Sequence, residues 1–288
     1  MSDNKLEFQA GKHPDENGTK MREPDNRRSA IVTGASSGIG KEISRLLLEL
    51  GYEVYGFGRN FRDEELLTEH EVAGLEIAGG QDRSNYFHRI KGDLLDTRWL
   101  CNEVREISKN SRVEVLVNAA GVGYYGLHEQ LSVQQIRTLV QTNLEVPLIL
   151  TNRLLRVLKQ NRGYIINISS ITAKQSSPHG CAYGAVKAGL TSFGASLFDE
   201  TRKYGVKVTT IHPDMTDTNL YRDADFTCSD EEGSFLLASE VADAVRYVLT
   251  QREGVVVPDI TIRPQLHRLA RKKTGHSVTS HPADSSGR

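Results

Sequence analysis

Cysteine is scarce in this chain: Cys101, Cys181 and Cys228 are the only three in 288 residues. Their spacing fits neither a disulfide framework nor a structural zinc site, and an odd number of thiols suits a reducing compartment, so the sequence predicts a cytoplasmic setting and no bound metal. No uninterrupted apolar run approaches the roughly 20 residues that span a bilayer. The first 28 residues hold no apolar core of the kind a signal peptide needs. Net charge is missing too. With 25% charged residues summing to −1, the surface is not built to hold nucleic acid or an anionic membrane.

What the chain has is an alternation of short apolar runs with helical patterns. Residues 1–28 are polar, mixed in charge and too poor in apolar residues to repay ordering, which predicts a flexible leader. Ser29-Ala-Ile-Val32 reads as a buried strand. Thr33-Gly-Ala-Ser-Ser-Gly-Ile-Gly40 follows as a glycine turn, Lys41 to Leu50 is apolar at helical spacing, Gly51 stops that helix, and Glu53 to Gly58 is a second strand. Strand, turn, helix and strand within thirty residues make a βαβ unit with parallel pairing.

Small residues where a strand feeds a helix let backbone N–H groups approach a phosphate, with the helix dipole adding a favourable field. A turn that only packs tightly is the plainer reading. The spacing is Gly-x-x-x-Gly-x-Gly; the more familiar G-x-G-x-x-G occurs at Gly121 to Gly126, but Leu127 to Leu131 separates it from the next helix, so it is read as a coincidence. Arg59 ends the second strand where a dinucleotide-binding fold meets the adenosine ribose, and no carboxylate is there to hold a 2′-hydroxyl. A guanidinium suits a 2′-phosphate, favouring NADP over NAD; the alternative is a surface arginine with no ligand.

Further strands are expected at Phe87 to Lys91, Val113 to Val117, Gly163 to Ser170, Val206 to Ile211 and Gly254 to Pro258. A helix is expected within 60–85, which also holds an Ala-Gly-Gly loop, and others over Thr97 to Lys109, from the Ser132-x-x-Gln135 capping box to Lys159, over Ala182 to Tyr204, and from a Ser239 cap to Gln251. Residues 214–238 read as a lid loop, and 263–288 as a basic, solvated tail.

Tyr183 and Lys187 stand four apart in a helical stretch, so phenol and ammonium can address one point. A nearby cation favours the phenolate and makes proton exchange feasible. An inward-packed aromatic beside a snorkelling lysine would look the same. Ser170, at a strand end thirteen residues upstream, lies on the edge where parallel sheets place ligands, and is equally an ordinary turn or cap residue. Asn143 reads as a solvated helix residue or a functional one.

In order, Thr33-Gly-x-x-x-Gly-x-Gly40, Asp93, Asn118-x-Ala-Gly121, Asn143, Ser170, Tyr183-x-x-x-Lys187 and Pro213 with Thr216 or Thr218 resemble the compact, one-domain branch of the short-chain dehydrogenase/reductase family over about residues 29–262. The resemblance implies an α/β fold: a Rossmann-like, doubly wound parallel sheet of about seven strands flanked by helices, in a single domain. It implies cofactor contacts from Gly34, Ser36, Gly38, Ile39, Gly40, Arg59, Asp93, Leu94, Asn118, Tyr183, Lys187, Pro213, Thr216 and Thr218. It makes Ser170 the residue that orients the substrate oxygen, Tyr183 the general acid/base and Lys187 the group that lowers the tyrosine pKa, with Asn143 linking Lys187 to solvent through a water.

Three departures stand out: Ala119 replaces a second asparagine, Asp214 replaces the glycine after Pro213, and Ser37 stands where many NADP users carry a basic residue. The implied activity is an NADP-preferring exchange of hydride with a small-molecule carbonyl or alcohol, the alternative being a non-catalytic NADP(H) sensor. Polar residues at Lys174 to His179 and the acidic stretch Asp223 to Glu232 hint at a polar or small carbonyl compound. A homodimer or homotetramer, paired through the helices at Ser132 to Lys159 and Ala182 to Tyr204, is expected, with neither nucleic acid nor membrane as partner.

Overall fold

A computed structural model describes residues 27–61, 86–266 and 268–272. The leader to residue 26, the helix and loop expected within 62–85 and the tail from 273 lie outside the described residues. Strands β1 (Arg28–Thr33), β2 (Glu53–Gly58), β3 (Phe87–Lys91), β4 (Arg112–Asn118), β5 (Tyr164–Ile168), β6 (Lys207–Pro213) and β8 (Asp259–Ile262) form one sheet in the order β3-β2-β1-β4-β5-β6-β8. Every neighbouring pair is parallel. Chain order reverses between β1 and β4, so their carboxyl ends open a crevice, the place where such sheets take ligands.

Both faces of the sheet are covered, which is why its strands read as near-continuous apolar runs. In β1, Ala30 and Val32 point to one layer and Ile31 to the other, all fully buried. The first layer is α1 (Gly38–Glu49), through Ile43, Leu46 and Leu47, with α6 (Ala238–Leu249), through Val241, Val245 and Val248. The second is α2 (Thr97–Asn110), α4 (Val146–Asn161) and α5 (Cys181–Thr201); Leu150, Leu154 and Leu158 of α4 recur every fourth residue and so share one buried stripe. Gly205, at φ +80, ends the short 3-10 turn behind α5.

The capping box forms as the sequence predicts: Gln135 N–H donates to Ser132 Oγ at 3.2 Å and Ser132 N–H to Gln135 Oε1 at 2.9 Å. The helix it starts is not uniform. α3 (Val133–Val140) passes through a π turn, Gln141–Glu145, into α4. Pro147 has no N–H for the Asn143 carbonyl, and Val146 N–H reaches back to Gln141 instead, widening the turn. Asn143 rides on that turn, fully buried rather than solvated.

Three boundaries differ from expectation. The last sheet strand begins after Pro258, not before it: Thr209 and Thr210 bond the Val257 and Pro258 carbonyls, and ladder pairing starts at Asp259, where the chain regains N–H donors. Helix α6 is capped at Leu237, whose N–H donates to Glu240 Oε2 at 2.8 Å, leaving Ser239 in the first turn. The expected lid holds a short 3-10 turn, Asn219–Tyr221, and a strand, β7 (Phe226–Cys228), which pairs antiparallel with β9 (Leu269–Arg271) from the segment read as tail.

The β1–α1 turn closes on itself through its glycines. A Cβ on Gly40 would stand 2.3 Å from the Gly34 carbonyl oxygen, and one on Gly34, at φ +72, would stand 2.8 Å from Ala120 Cα. Gly40→Ala should therefore cost about 1–3 kcal/mol in a urea titration, through overpacking with no loss of buried surface; an unchanged midpoint would mean that the turn relaxes freely.

Candidate active site

The crevice is a cleft of about 260 Å³ running from the start of α1 to the start of α5. At its α1 end Gly34, Ser36, Gly38 and Ile39 line the wall. The N-cap Ser37 makes no side-chain hydrogen bond, and the first turn of α1 has no acidic residue, so the helix presents its N–H groups without a built-in anion. Gly40 does not reach the cleft; its missing side chain lets Gly34 sit close. Thr33 Oγ1 accepts from Ala119 and Ala120 N–H, both at 3.1 Å, locking this turn to the end of β4.

Arg59 is exposed on the rim, and Asp93 and Leu94 line the adjoining wall after β3. The missing acid before Arg59 has a steric reason: a Cβ on Gly58 would lie 2.9 Å from Ser36 Cβ and Oγ. On the opposite wall are Pro213, Asp214, Thr216 and Thr218. Asp214 Oδ2 takes a bond from Arg263 Nε at 3.0 Å, so the residue that replaces a glycine is tied into the strand beyond. Thr218 stands against the glycine turn, its Cγ2 3.1 Å from where a Gly38 Cβ would be, while Thr216 is buried and bonds the Asp214 carbonyl.

At the other end Ser170, Tyr183 and Lys187 meet, all buried and all lining the cleft. Ser170 caps a short 3-10 turn, Ile171–Ala173; its Oγ accepts from Thr172 N–H at 3.2 Å and from Thr172 Oγ1 at 3.0 Å. Both lone pairs are taken, so its own proton is free to be given. Lys187 Nζ donates to the Ile168 carbonyl at 2.9 Å and lies 5.7 Å from the Tyr183 ring centre.

Asn143 does not line the cleft. Its Nδ2 donates to the carbonyls of Val122 and Leu139, both at 3.0 Å, and its Oδ1 accepts from Val122 N–H at 3.3 Å. That clamp places Gly121 between Asn143 and Lys187: a Cβ there would be 3.1 Å from Asn143 Oδ1 and 3.8 Å from Lys187 Nζ. Asn118 is turned away too, its Nδ2 donating to Asn167 Oδ1 at 2.8 Å inside the sheet.

Burial dominates the electrostatics. It pushes Tyr183 up to about 12, with the Ser170 and Tyr125 hydroxyls pulling it part of the way back. The same burial holds Lys187 down at about 8. Lys187 is not among the groups that shift Tyr183 here; its ammonium donates to the Ile168 carbonyl.

Sequence reasoning missed two residues here. Tyr125 packs on Tyr183 with ring centres 5.5 Å apart and on Tyr221 and Phe226 at 5.9 and 5.1 Å, so an aromatic cluster backs the Tyr183 end of the cleft, whose lining also includes Arg222 and, from the acidic stretch, Asp223. The Gly121-to-Gly126 match serves no helix N-terminus, yet Gly121 and Gly123 line the cleft, and a glycine there was the one signal for a side chain passing close. His212 is buried behind Ser170, its Nδ1 3.3 Å from the Ser170 carbonyl oxygen and its Nε2 2.8 Å from Asp259 Oδ2. Only its place before Pro213 marked it. Among the described residues no group of three or more His, Cys, Asp or Glu side chains could hold a metal, and no helix is long and apolar enough to cross a membrane.

A lysine held at about 8 sheds its proton more readily folded than unfolded, so burial of its charge costs stability in full below pH 8, and the cost fades as pH rises toward about 10.4. The folding free energy of the protein relative to Lys187→Met should therefore improve between about pH 8 and pH 10 by up to a few kcal/mol. Urea titrations of both proteins across that range check it, and parallel curves would show that Lys187 does not titrate there.

The short chain dehydrogenase family model matches residues 28–227. An uncharacterized oxidoreductase of Staphylococcus epidermidis is 33% identical over 241 residues, which cover 82% of this chain and 96% of that protein. Dehydrogenase/reductase SDR family member 7B of Xenopus laevis is 31% identical over 217 residues, covering 74% of this chain and 65% of that one. Among solved structures, actinorhodin polyketide ketoreductase with NADPH superposes with a TM-score of 0.69 at 26% identity, covering 85% of this chain and 99% of its own. The alcohol dehydrogenase of the archaeon Thermococcus sibiricus, complexed with 5-hydroxy-NADP, gives 0.71 at 22% identity over 85% of this chain and 99% of its own, a likeness of fold alone. Matched over most of its described length, with the parallel sheet and the cleft at its switch point, the chain belongs to the short-chain dehydrogenase family of oxidoreductases.

Proposed function

We propose that this oxidoreductase exchanges hydride between NADP(H) and a carbonyl or alcohol carbon, with Tyr183 as the proton donor and acceptor. The observation that carries the reading is the convergence of buried Ser170, Tyr183 and Lys187 on a cleft whose far end is the uncapped start of α1. The cleft fits a dinucleotide: Gly38 leaves a space facing Thr218 that a side chain would fill, and Arg59 stands where Gly58 admits no carboxylate. Actinorhodin polyketide ketoreductase, at 26% identity, holds NADPH.

In this reading the start of α1, with Thr218 facing it, holds the phosphates, Arg59 pairs with the 2′-phosphate, and Asp93 and Leu94 flank the adenine. Bound, the nicotinamide supplies the hydride chemistry. Ser170 donates to the substrate oxygen, which places that oxygen at the Tyr183 hydroxyl. Tyr183 gives its proton as the oxygen gains charge and takes one in the reverse direction. Lys187 steadies the phenolate so formed and holds a ribose hydroxyl, and Asn143 keeps Gly121 and Val122 clear of the Lys187 ammonium. Asn118 acts through the sheet end and Pro213 to Thr216 through the carboxamide wall. A cytoplasmic setting goes with three unpaired cysteines. A two-fold pairing through α3 and α4 goes with the exposed Val133, Val140 and Leu148 on those helices.

Tyr183→Phe should bind NADPH with unchanged affinity and lose catalysis by about 10²–10⁴-fold, the range for a general acid/base; most of the turnover surviving would remove Tyr183 from the mechanism. Arg59→Asp should invert the NADP-to-NAD preference in kcat/KM, whereas an unaltered ratio would show that Arg59 does not read the 2′-phosphate.

A further inference from the structure

Tyr183 has a second hydroxyl neighbour besides Ser170. Tyr125 lies on the loop after β4, and its ring sits against Tyr183 at 5.5 Å between centres and a tilt of 50°. The loop is shaped to put it there. A Cβ on Gly123 would stand 2.7 Å from the Tyr125 ring, so only glycine leaves it room. Gly126 N–H bonds the His179 carbonyl at 2.7 Å, tying the loop to the chain that leads into α5. Tyr221 and Phe226 close on the ring from the other side, and β9 fastens them, with Lys272 Nζ bonding the Tyr221 and Arg222 carbonyls at 2.6 and 2.8 Å.

We propose that Tyr125 is a positioning residue for the proton transfer: its phenol donates to the Tyr183 oxygen, directs the Tyr183 proton toward the substrate and steadies the phenolate left when that proton departs. The proposal rests on Tyr183 being the acid/base. Ser170 can only donate, because Thr172 occupies both of its lone pairs. Ser170 therefore cannot take the Tyr183 proton, and its single proton goes to the substrate oxygen; a Tyr183 hydroxyl that accepts from Tyr125 is left to point its own proton into the cleft. Once that proton has passed to the substrate oxygen, the Tyr125 donor remains on a phenolate buried away from water, where a charge-assisted bond counts most. Consistent with this, the hydroxyls of both neighbours pull the Tyr183 pKa down against its burial.

Tyr125→Phe keeps the ring and removes the donor. With benzyl alcohol and NADP as probes, it should lower kcat by about 10- to 100-fold, the loss of one hydrogen bond to a charged group, leave NADP affinity unchanged and move the acid limb of the pH–rate profile upward by about one unit. Loss of packing alone would lower the rate without moving the limb. The substrate-free protein gives a second readout: in protein labelled with ¹³Cζ-tyrosine, the Tyr183 signal, assigned by its absence in Tyr183→Phe, should shift in Tyr125→Phe. A Tyr125→Phe enzyme with a wild-type acid limb, or with an unshifted Tyr183 signal where benzyl alcohol is not turned over, overturns the role of Tyr125 while leaving Tyr183 in place. An active Tyr183→Phe enzyme would instead overturn the reading beneath it.

Discussion

One buried contact organises the reacting end of the molecule: the Lys187 ammonium donating to the Ile168 carbonyl at the last residue of β5. It joins helix to sheet and sets the rotation of α5, so that Tyr183, one turn earlier, faces the cleft. An ammonium kept from water is costly, and the protein accepts that cost at the one point where chemistry can use it. Around it the supports are neutral. Asn143 spends its amide on Val122 and Leu139, and Ser169 Oγ bonds the Lys187 carbonyl at 3.0 Å. No carboxylate pairs with Lys187 in these contacts, so its charge remains available to whatever anionic group the cleft admits.

The opposite end of the cleft follows from sterics instead. Gly34, Gly40 and Gly58 are places where backbone or Ser36 leaves no space for a side chain. Closing those gaps brings the start of α1 to the switch point between β1 and β4. The same crowding excludes an acid before Arg59, so cofactor selectivity in the proposed reading is partly a packing outcome. Arg59 then stands alone at that rim because its neighbour has to be glycine.

Much of this was legible in residue order. The alternation of apolar runs and helical stripes fixed the parallel sheet, since strands buried on both faces leave a two-sided apolar signature, as Ala30, Ile31 and Val32 show. The glycine turn and the order of Ser170, Tyr183 and Lys187, read through the family resemblance, anticipated residues that line the cleft, Gly40 excepted. What stayed hidden depends on contacts distant in sequence. The strand after Pro258 is defined by its partner β6, not by the valines that precede it. The pairing of β7 with β9 joins segments of three residues, too short to announce themselves. Tyr125 shows no pattern of its own, and Asn118 and Asn143 carry family spacing while their side chains face inward. The sign of the tyrosine shift was also illegible, because burial is a property of the whole packed site.

The aromatic cluster behind Tyr183 is held by a strand from the end of the described chain, while Arg222 and Asp223 keep polar groups on the cleft. The central question is whether this cleft performs hydride exchange at a carbonyl. Following the absorbance of NADPH while the purified protein is offered a panel of aryl and alkyl aldehydes and ketones tests that most directly. The account predicts NADPH loss matched mole for mole by alcohol formed; a protein that binds NADPH tightly and reduces nothing in the panel would contradict it and leave a cofactor sensor in its place.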